Sequence, residues 1–435
     1  MHATHVQYLI AGAGAAGSAA AQAIRLRDPK GSILLVGQEV NRPYQRPRLS
    51  HDYLLRRVSR TELITLPVGW YADNDVRLVT GRRVARIDVP RHLVTLDSGE
   101  EVAYDRLLIA TGVGPRPLNV PGADLPNVFD LRTLEDADRL VNAMDSARRE
   151  GRPHDETRRG VAGAPRGRVV VIGGGLLGVE LSAVLTQAGL RVDLLVAAGH
   201  PWGRFAGEQA GGAVARRLQA EGVNVCVHTR VARLEGDGRA QRVITDDGRT
   251  FHCDFVVTAI GSVFNREIVR GTPLNAEKHL LVDDHCRTNV PDLFAAGDCA
   301  AVFDPLFGKH RVLDHWDSAR LTGTIAGANM AGDGSMSYDV VNHFGSEVFG
   351  LRLSAWGESR HVAHRHTRRP SGASDTWLAE FGVSPTGRIS QTLWVGAEIA
   401  PGEDAALREM VARRLDVSQQ IDRLTDPTVP LTSLL

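Results

Sequence analysis

Two glycine-rich turns are the parts of this chain whose residue types and spacing point most directly to chemistry. They are residues 12–17 (GAGAAG) and 173–178 (GGGLLG). In such a turn the first glycine allows a tight bend, the second lets the backbone approach a pyrophosphate, and the third lets a helix pack on a strand. The N-terminus of the helix that follows can hold the phosphates. The pair therefore predicts two dinucleotide-binding sites.

The runs around both turns predict the elements that would position them. The predicted order of strand, helix and strand is 8–11, 15–26 and 32–36 for the first turn, and 168–172, 176–187 and 191–196 for the second. An acid about 20 residues after the turn normally holds the ribose hydroxyls. Glu39, or the amide of Gln38, can do so after the first turn.

The second unit offers no acid at the corresponding place, since its strand continues into Ala197, Ala198 and Gly199. We expect His200 and Arg204 to meet a 2′-phosphate instead, which favours NADPH at least as much as NADH. The alternative is that both are ordinary loop residues and the second unit binds its nucleotide weakly or not at all.

Composition narrows the class of protein. The 435 residues carry 51 Lys and Arg against 51 Asp and Glu, so no overall field recruits nucleic acid or an anionic membrane. The first residues do not resemble a signal peptide, and the longest apolar stretch, 169–185, contains Glu180 and several glycines rather than a membrane span. We expect a cytoplasmic protein that binds no nucleic acid, no membrane and no metal.

The four cysteines do not form a redox pair in the sequence. Cys226, Cys253, Cys286 and Cys299 are scattered, without a Cys-x-x-Cys or Cys-x4-Cys motif. Cys299 is interpreted as a small buried residue beside a cofactor turn rather than as a reactive thiol.

Later segments repeat the pattern of a strand followed by a glycine turn. Residues 105–112 and 254–261 both end in this way, and 290–298 ends in Asp298, which can meet a ribityl hydroxyl or simply cap a turn. Residues 147–168 are arginine-rich and predict a mobile loop. After about residue 331, strand-like runs at 351–356, 376–381 and 389–395 and a helix at 405–414 predict an interface or lid module.

The order of these motifs resembles the FAD-dependent NAD(P)H:ferredoxin reductases of the rubredoxin and putidaredoxin reductase type, which have the pyridine nucleotide-disulfide oxidoreductase fold and are related to apoptosis-inducing factor. The resemblance rests on both glycine turns, with Glu180 after the second, and on residues 43–51 (PYQRPRLSH), 110–112 (ATG), 296–298 (AGD), 314–316 (DHW) and 424–427 (LTDP).

The resemblance implies an α/β protein with two Rossmann-like dinucleotide-binding domains and a C-terminal α+β domain. The FAD domain is discontinuous, at 1–118 and 254–330. The NAD(P) domain, 119–253, is inserted into it and carries the arginine loop 147–167, and the C-terminal domain covers 331–435.

The resemblance also assigns site residues. Those implied for FAD are Gly12, Gly14, Ala15, Ala16, Gly17, Gln38, Glu39, Arg46, His51, Val84, Ala110, Thr111, Gly112, Arg132, Gly297, Asp298 and Trp316. Those implied for NAD(P) are Gly173, Gly175, Leu176, Leu177, Gly178, Glu180, His200, Arg204, Ile260 and Gly261. Catalytic roles are implied for His51, Glu180 and Trp316, with Trp316 near the isoalloxazine.

One departure from the family concerns charge. The family usually has Pro-Pro-Leu-Ser-Lys, with the lysine paired to the glutamate of the second fingerprint helix, whereas this chain ends the motif in His51. The charge of a His51–Glu180 pair would depend on pH near neutrality, whereas the charge of a lysine–glutamate pair would not. The alternative is that His51 only packs.

The function implied is transfer of a hydride from NAD(P)H to FAD and of single electrons to a ferredoxin-type iron-sulfur protein that serves an oxygenase. Two alternatives stay open: a flavin oxidase or dehydrogenase acting directly on a small metabolite or O2, for example in a biosynthetic pathway, and a non-enzymatic flavoprotein that binds partners. We expect a monomer or homodimer. An acidic acceptor would dock on arginines within 148–168 and on Arg365 and Arg368.

Overall fold

The structure is a computed structural model and describes residues 4–150, 167–370 and 377–435. In chain order the strands are β1 (Thr4–Ala11), β2 (Ile33–Gly37), β3 (Val76–Thr80), β4 (Val84–Asp88), β5 (Leu93–Leu96), β6 (Glu101–Ile109), β7 (Gly114–Pro115), β8 (Val128–Asp130), β9 (Arg168–Ile172), β10 (Arg191–Leu195), β11 (Asn224–Cys226), β12 (Val231–Glu235), β13 (Arg242–Thr245), β14 (Thr250–His252), β15 (Phe255–Thr258), β16 (Ser262–Val263), β17 (Leu280–Val282), β18 (Leu293–Ala295), β19 (Ala300–Asp304), β20 (Lys309–Val312), β21 (His343–Val348), β22 (Leu351–Gly357), β23 (His364–Arg368), β24 (Trp377–Val383) and β25 (Ile389–Gly396).

The α-helices are α1 (Ala15–Arg27), α2 (Arg60–Leu63), α3 (Trp70–Asp73), α4 (Leu134–Glu150), α5 (Leu176–Gln187), α6 (Glu208–Ala220), α7 (Trp316–Ala331), α8 (Pro401–Ala412) and α9 (Ile421–Thr425). The described chain divides into two compact units. The first contains residues up to 48, 58–114 and 262–340, and the second contains 49–57, 115–261 and 341–435.

The first unit is built on a mostly parallel sheet with the strand order β3-β2-β1-β6-β5-β4, in which β18 also pairs with β6. The central strand β1 is parallel to both β2 and β6, and its Leu9 and Ile10 are fully buried. Helix α7 packs on α1 without intervening side chains, since a Cβ on Gly323 would lie 2.2 Å from the backbone oxygen of Ala16.

The second unit contains a parallel sheet with the order β11-β10-β9-β15-β8. An antiparallel sheet, β12-β13-β14, belongs to the same unit. A five-stranded antiparallel sheet, β21-β22-β25-β24-β23, forms the C-terminal part, with α8 packed on β25 and β22. Parallel sheets with helices, followed by an antiparallel sheet with helices, confirm the predicted α/β class with two Rossmann-like units and a C-terminal α+β part.

Several details differ from the sequence-based expectations. Strand β15 (Phe255–Thr258) pairs with β9 in the second sheet, although the predicted boundary at 254 assigned it to the FAD domain. The strand has the same buried apolar pattern as β18, so pattern alone does not say which sheet it joins. The C-terminal sheet also contains β21 and β23, which were not predicted because their residues are largely polar. The assignment of each unit to a nucleotide stays a prediction.

Most of the predicted arginine loop, residues 151–166, lies outside the described residues. Within the described ranges, every helix is too short or too polar to cross a bilayer.

Candidate functional sites

The first glycine turn joins β1 to α1 and is shaped by contacts with its own unit. Gly12 has φ +122°, and a Cβ there would lie 2.1 Å from the carbonyl oxygen of Ala110. A Cβ on Gly17 would lie 1.9 Å from the carbonyl oxygen of Gly12. At Gly14, by contrast, no atom of the described protein other than those of its chain neighbours lies within 4 Å of an added Cβ. The first and third glycines are therefore required by packing, and the second faces open space.

The second turn, between β9 and α5, repeats this arrangement in the other unit. Gly173 has φ +120°, and its added Cβ would lie 2.3 Å from the carbonyl oxygen of Ala259. The corresponding distance from Gly178 to the oxygen of Gly173 is 1.8 Å, while Gly175 again has no described protein atom within 4 Å. Ile260 and Gly261 follow Ala259, and Gly261 has φ +105°, so this strand-end turn lies beside the second fingerprint.

Parallel strands bring the other predicted residues of the first unit to the first turn. The amide of Ala110 donates to the oxygen of Ala11 at 2.8 Å, and the amide of Ala296 donates to the oxygen of Ile109 at 3.1 Å. Gly297 has φ +74°, and its added Cβ would lie 3.0 Å from the Cβ of Ala16. Residues 110–112 and Gly297 therefore surround the turn that carries Ala15 and Ala16.

A polar cluster lies just beyond the end of β2. The hydroxyl of Tyr44 donates to Glu39 Oε2 at 2.6 Å, and Arg46 forms an ion pair with Glu39 and also donates to Tyr44 at 3.0 Å. Burial lowers the pKa of the Arg46 guanidinium, but Tyr44, Glu39 and Asp298 outweigh it and raise that pKa. Glu39, Arg46 and Asp298, separated in the sequence, are thus brought together. Sequence reasoning gave Tyr44 no role of its own, although it lies within the quoted 43–51 motif.

Three further predicted FAD residues belong to the same unit. Gln38 is exposed next to Glu39. Val84 is buried at the start of β4, two residues after Arg82, whose amide donates to the oxygen of Gly37 at 3.0 Å. Trp316 is half-buried as the first residue of α7.

The second unit gathers a separate cluster around Glu180 on α5. Its carboxylate accepts hydrogen bonds from Ser346 Oγ at 2.7 Å and Ser50 Oγ at 3.2 Å, and His51 Nδ1 lies 3.9 Å from it. The Glu180 side chain is 14% exposed. Burial raises its pKa, and the opposing effects of His51, Ser346 and Ser50 do not cancel this rise. We term Glu180, His51, Ser50 and Ser346 the Glu180 cluster.

The backbone of residues 49–57 places Ser50 and His51 in this cluster. Tyr53 donates to Asp138 of α4 at 2.6 Å, which holds the segment against the second unit. His51 uses its other nitrogen, Nε2, at 3.3 Å from the backbone oxygen of Glu347. The pairing of His51 with Glu180 was predicted, whereas Ser346 could not be, because it is distant in sequence and belongs to no motif. Arg132 lies in the same unit, where its amide donates to Asp136 at the start of α4.

The loop after β10 is folded onto the second turn. The amide of Trp202 donates to the oxygen of Gly174 at 2.7 Å, and Trp202 is buried. His200 points its Nδ1 at the oxygen of Pro201, 2.8 Å away. Arg204 is exposed. Both predicted residues are therefore near the second fingerprint, and the roles assigned to all site residues stay predictions.

The predicted docking surface is wrong for Arg368 of the C-terminal sheet, whereas Arg365 is partly exposed and its role stays a prediction. Arg368 is buried and donates to backbone oxygens of Pro427 and Val429. Arg365 donates to Gln391 at 2.9 Å and to the oxygen of Phe205 at 3.0 Å. A run of basic residues in the sequence suggests a solvent-exposed surface. Here the run forms β23, a strand that packs on its neighbours, so Arg368 is buried instead.

Comparisons with known proteins agree with this geometry. The family model described as "Pyridine nucleotide-disulphide oxidoreductase" matches residues 6–323. Rhodocoxin reductase of Rhodococcus erythropolis is 34% identical over 352 residues, covering 80% of this chain and 77% of that protein. The biphenyl dioxygenase system ferredoxin–NAD(+) reductase component of Paraburkholderia xenovorans is 32% identical over 351 residues, covering 80% of each chain.

Among solved structures, that of the covalent putidaredoxin reductase–putidaredoxin complex superposes with a TM-score of 0.87 at 26% identity, covering 100% of this chain and 98% of the other. The family model spans well over half of the sequence and includes both glycine turns. The predicted resemblance is therefore confirmed, and the chain is an oxidoreductase that belongs to the pyridine nucleotide-disulphide oxidoreductase family, whose members use a flavin and NAD(H).

Proposed function

We propose that this protein binds FAD at the first glycine turn, accepts a hydride from NAD(P)H held at the second, and delivers single electrons to a ferredoxin-type iron-sulfur protein that serves an oxygenase. The relatives named above are a rhodocoxin reductase and a ferredoxin–NAD(+) reductase component of a dioxygenase system. Their names support the acceptor class.

The observation that carries the proposal is the open space at the middle glycine of both turns. Packing explains the glycines on either side, because a Cβ at Gly12, Gly17, Gly173 or Gly178 would collide with backbone. No described protein atom explains Gly14 or Gly175, which have ordinary negative φ angles of −85° and −76°. A missing side chain that the protein's own packing does not require fits a ligand backbone that approaches there. This applies to the second turn as strongly as to the first, which argues against a second unit that has lost its nucleotide.

The residues at the first turn fit an FAD nucleotide. The pyrophosphate would meet the amides at the N-terminus of α1, where negative charge is favoured. Glu39 retains acceptor capacity for ribose hydroxyls, since a carboxylate accepts about four hydrogen bonds and the described contacts to Tyr44 and Arg46 leave room for more. Asp298, half-buried beside Gly297, would hold a ribityl hydroxyl.

A bound flavin supplies two-electron acceptance with one-electron release, which suits a one-electron iron-sulfur acceptor. The protein's part is to bind, to orient and to exclude water. The Glu180 cluster places a shielded carboxylate with two hydroxyl donors and an imidazole on the fingerprint helix of the second unit. We assign it the role of setting the local charge at the nicotinamide end.

A disulfide substrate is disfavoured despite the family's name. All four cysteines are free thiols. Burial raises the pKa of Cys253 to about 12 and that of Cys299 to about 11, and it also raises the pKa of Cys226 and Cys286. Because the thiolate is the reactive form, these cysteines are poor nucleophiles near neutral pH.

Anaerobic titration of the purified protein with NADH and NADPH tests the proposal through the visible absorbance of the flavin. We expect bleaching by a nicotinamide, followed by recovery of colour when oxidised ferredoxins such as putidaredoxin are added. Ferricyanide is the control acceptor, since it needs no docking surface. Bleaching by neither nicotinamide would refute the reductase, and electrons that reach ferricyanide but no ferredoxin or rubredoxin would refute the acceptor.

Two matched variants separate the two sites. Gly14→Ala and Gly175→Ala each place a methyl group where the described protein leaves space, so both should fold normally. We expect Gly14→Ala to lose flavin, whereas Gly175→Ala should keep its flavin and require at least about tenfold more nicotinamide for bleaching, the cost of about 1.4 kcal/mol of lost contact. Unchanged nucleotide binding in both variants would contradict the assignment of the open spaces.

A further inference from the structure

The end of β10 is the place where the second unit could distinguish one nicotinamide nucleotide from another. The amide of Gly173 donates to the oxygen of Leu195 at 2.9 Å, just as that of Gly12 donates to Val36 at 2.8 Å in the first unit. Counting from these paired strand ends, Ala198 occupies the position of Glu39. A methyl group therefore stands where the first unit has its ribose-binding acid.

A histidine from the next loop lies over this position. The amide of His228 donates to the oxygen of Ala198 at 3.0 Å, and that of Thr229 donates to the oxygen of Val196 at 2.9 Å. A Cβ built on Gly199 would lie 3.1 Å from His228 Cε1 and 3.2 Å from Nε2. The imidazole thus lies against the strand end directly beside Ala198 and Gly199.

His228 is exposed, and within the described parts of the chain its ring makes no hydrogen bond. His200 differs, since its Nδ1 faces the oxygen of Pro201 and its ring covers Gly211, where a Cβ would lie 2.1 Å from Nδ1. His200 is therefore held by contacts within the fold, whereas the His228 ring is accessible to a ligand.

Three arginines lie in the segments around His228, one of them paired with an acid. Arg249 donates to Thr229 Oγ1 at 2.6 Å and is paired with Asp247 at 2.7 Å. Exposed Arg204 lies on the loop after Gly199, and exposed Arg230 follows Thr229. The acids that a 2′-hydroxyl would require are missing from residues 197–199.

We propose that His228 is a specificity-determining residue that meets the 2′ position of the adenine ribose and selects the 2′-phosphate of NADPH over the 2′-hydroxyl of NADH. The inference rests on the proposed nicotinamide site at the second turn. An imidazole N–H donates to a phosphate oxygen, and this charge-assisted bond is stronger than one to a neutral hydroxyl.

Calorimetric titration of the flavin-loaded protein with 2′,5′-ADP and with 5′-AMP tests this, because the two probes differ only in the 2′-phosphate. We expect 2′,5′-ADP to bind at least about tenfold more tightly than 5′-AMP, because one charge-assisted hydrogen bond contributes about that factor in affinity. His228→Asn should lose about that factor for 2′,5′-ADP and less than about twofold for 5′-AMP. Asparagine is chosen because His228 has φ +50°, a conformation that asparagine tolerates.

His252→Asn is the matched control, since His252 is an exposed histidine on β14 of the same unit, and it should change neither affinity. Equal losses for both probes in His228→Asn, or no loss, would overturn the role of His228. Flavin bleaching by NADPH and NADH, measured in parallel, separates this failure from that of the proposed function. Normal bleaching with an unchanged probe ratio refutes only the His228 assignment, whereas absence of bleaching and of binding refutes the nicotinamide site itself.

Discussion

The two glycine turns have nearly the same shape but differ in what surrounds them. Their first glycines have φ +122° and +120°, and their third glycines come within 1.9 and 1.8 Å of the preceding turn oxygen when a Cβ is added. In the proposed function, these shared features hold a pyrophosphate, a group common to both nucleotides. Selectivity must therefore come from residues outside the turn.

Each turn packs against the end of the neighbouring strand, but the two units place the side chain and the glycine of this contact on opposite partners. In the first unit, Ala13 packs on Gly37, where a Cβ would lie 2.7 Å from the Ala13 side chain. In the second, Gly174 packs on Val196, with a corresponding distance of 2.6 Å. In the first unit the side chain belongs to the turn and the glycine to the strand end. In the second unit the glycine belongs to the turn and the side chain to the strand end, and the packing is equally close.

The functional differences occur at two further equivalent positions. Glu39 corresponds to Ala198 at the strand end, and buried Ala19 on α1 corresponds to Glu180 on α5, each two residues after the third glycine. The first unit thus carries its acid at the strand end, and the second carries it on the helix. The two units therefore share the geometry of the turn and differ in where the charged residues around it lie.

The largest effects are expected at the crowded third glycines. Gly17→Ala and Gly178→Ala each drive a methyl group into a backbone oxygen, which we expect to destabilise the protein by about 3 kcal/mol, the upper end of ordinary overpacking. Thermal unfolding of the flavin-free proteins measures both, with Gly14→Ala and Gly175→Ala as controls that should melt like the flavin-free wild type. A large loss in only one of the two crowded variants would break the equivalence of the turns.

Transferring the acid should reverse the nucleotide preference of the second unit. Ala198→Glu places a carboxylate at the position of Glu39, where it can accept from a 2′-hydroxyl and repel a 2′-phosphate. We expect the ratio of kcat/KM for NADH to that for NADPH to rise about tenfold to a hundredfold, the range of one charged hydrogen bond. Exposed Ala197 provides the neighbouring control Ala197→Glu. A ratio that shifts equally in the control would mean that overall charge, and not position, matters.

The reversed packing can be tested with a double-mutant cycle. Gly174→Ala should crowd Val196, Val196→Gly should leave a cavity, and the double variant recreates the pair found in the first unit. We expect the double variant to recover about 1 kcal/mol relative to the sum of the single changes. Unfolding free energies that simply add would show that the two side chains do not share one space.

The smallest effect concerns the acid on α5 and depends on pH. The folded-state pKa of Glu180 is raised above its ordinary value of 4.5, chiefly by burial, so its contribution to stability is complete below about that pH and is lost as pH rises through the folded pKa. Glu180→Gln removes this loss. We expect its free energy of unfolding relative to wild type to increase from acidic to neutral pH, by about 1.4 kcal/mol for each unit of pKa displacement, and its melting temperature to rise accordingly.

The first unit supplies the control, because Ala19→Gln adds an amide at the equivalent position without removing a titrating group. Its melting temperature, lowered by crowding at a buried site, should differ from wild type by the same amount at every pH. A pH-independent difference for Glu180→Gln as well would mean that the carboxylate is not the source.

The sequence alone determined the elements that follow from short-range patterns. Both turns with their strands and helices and the α/β class were predicted because each depends on local periodicity, on glycine chemistry or on motif order. The pairing of His51 with Glu180 was one of two alternatives that the family resemblance left open. Only the tertiary structure could show which sheet β15 joins and that Arg368 is buried, because an apolar or basic run in the sequence does not determine which segments pack against it. The same holds for Ser346 beside Glu180 and His228 over Gly199, which meet through the crossing of strands and loops distant in the chain. Local preference fixes the conformation of a segment, whereas its contacts depend on how segments pack.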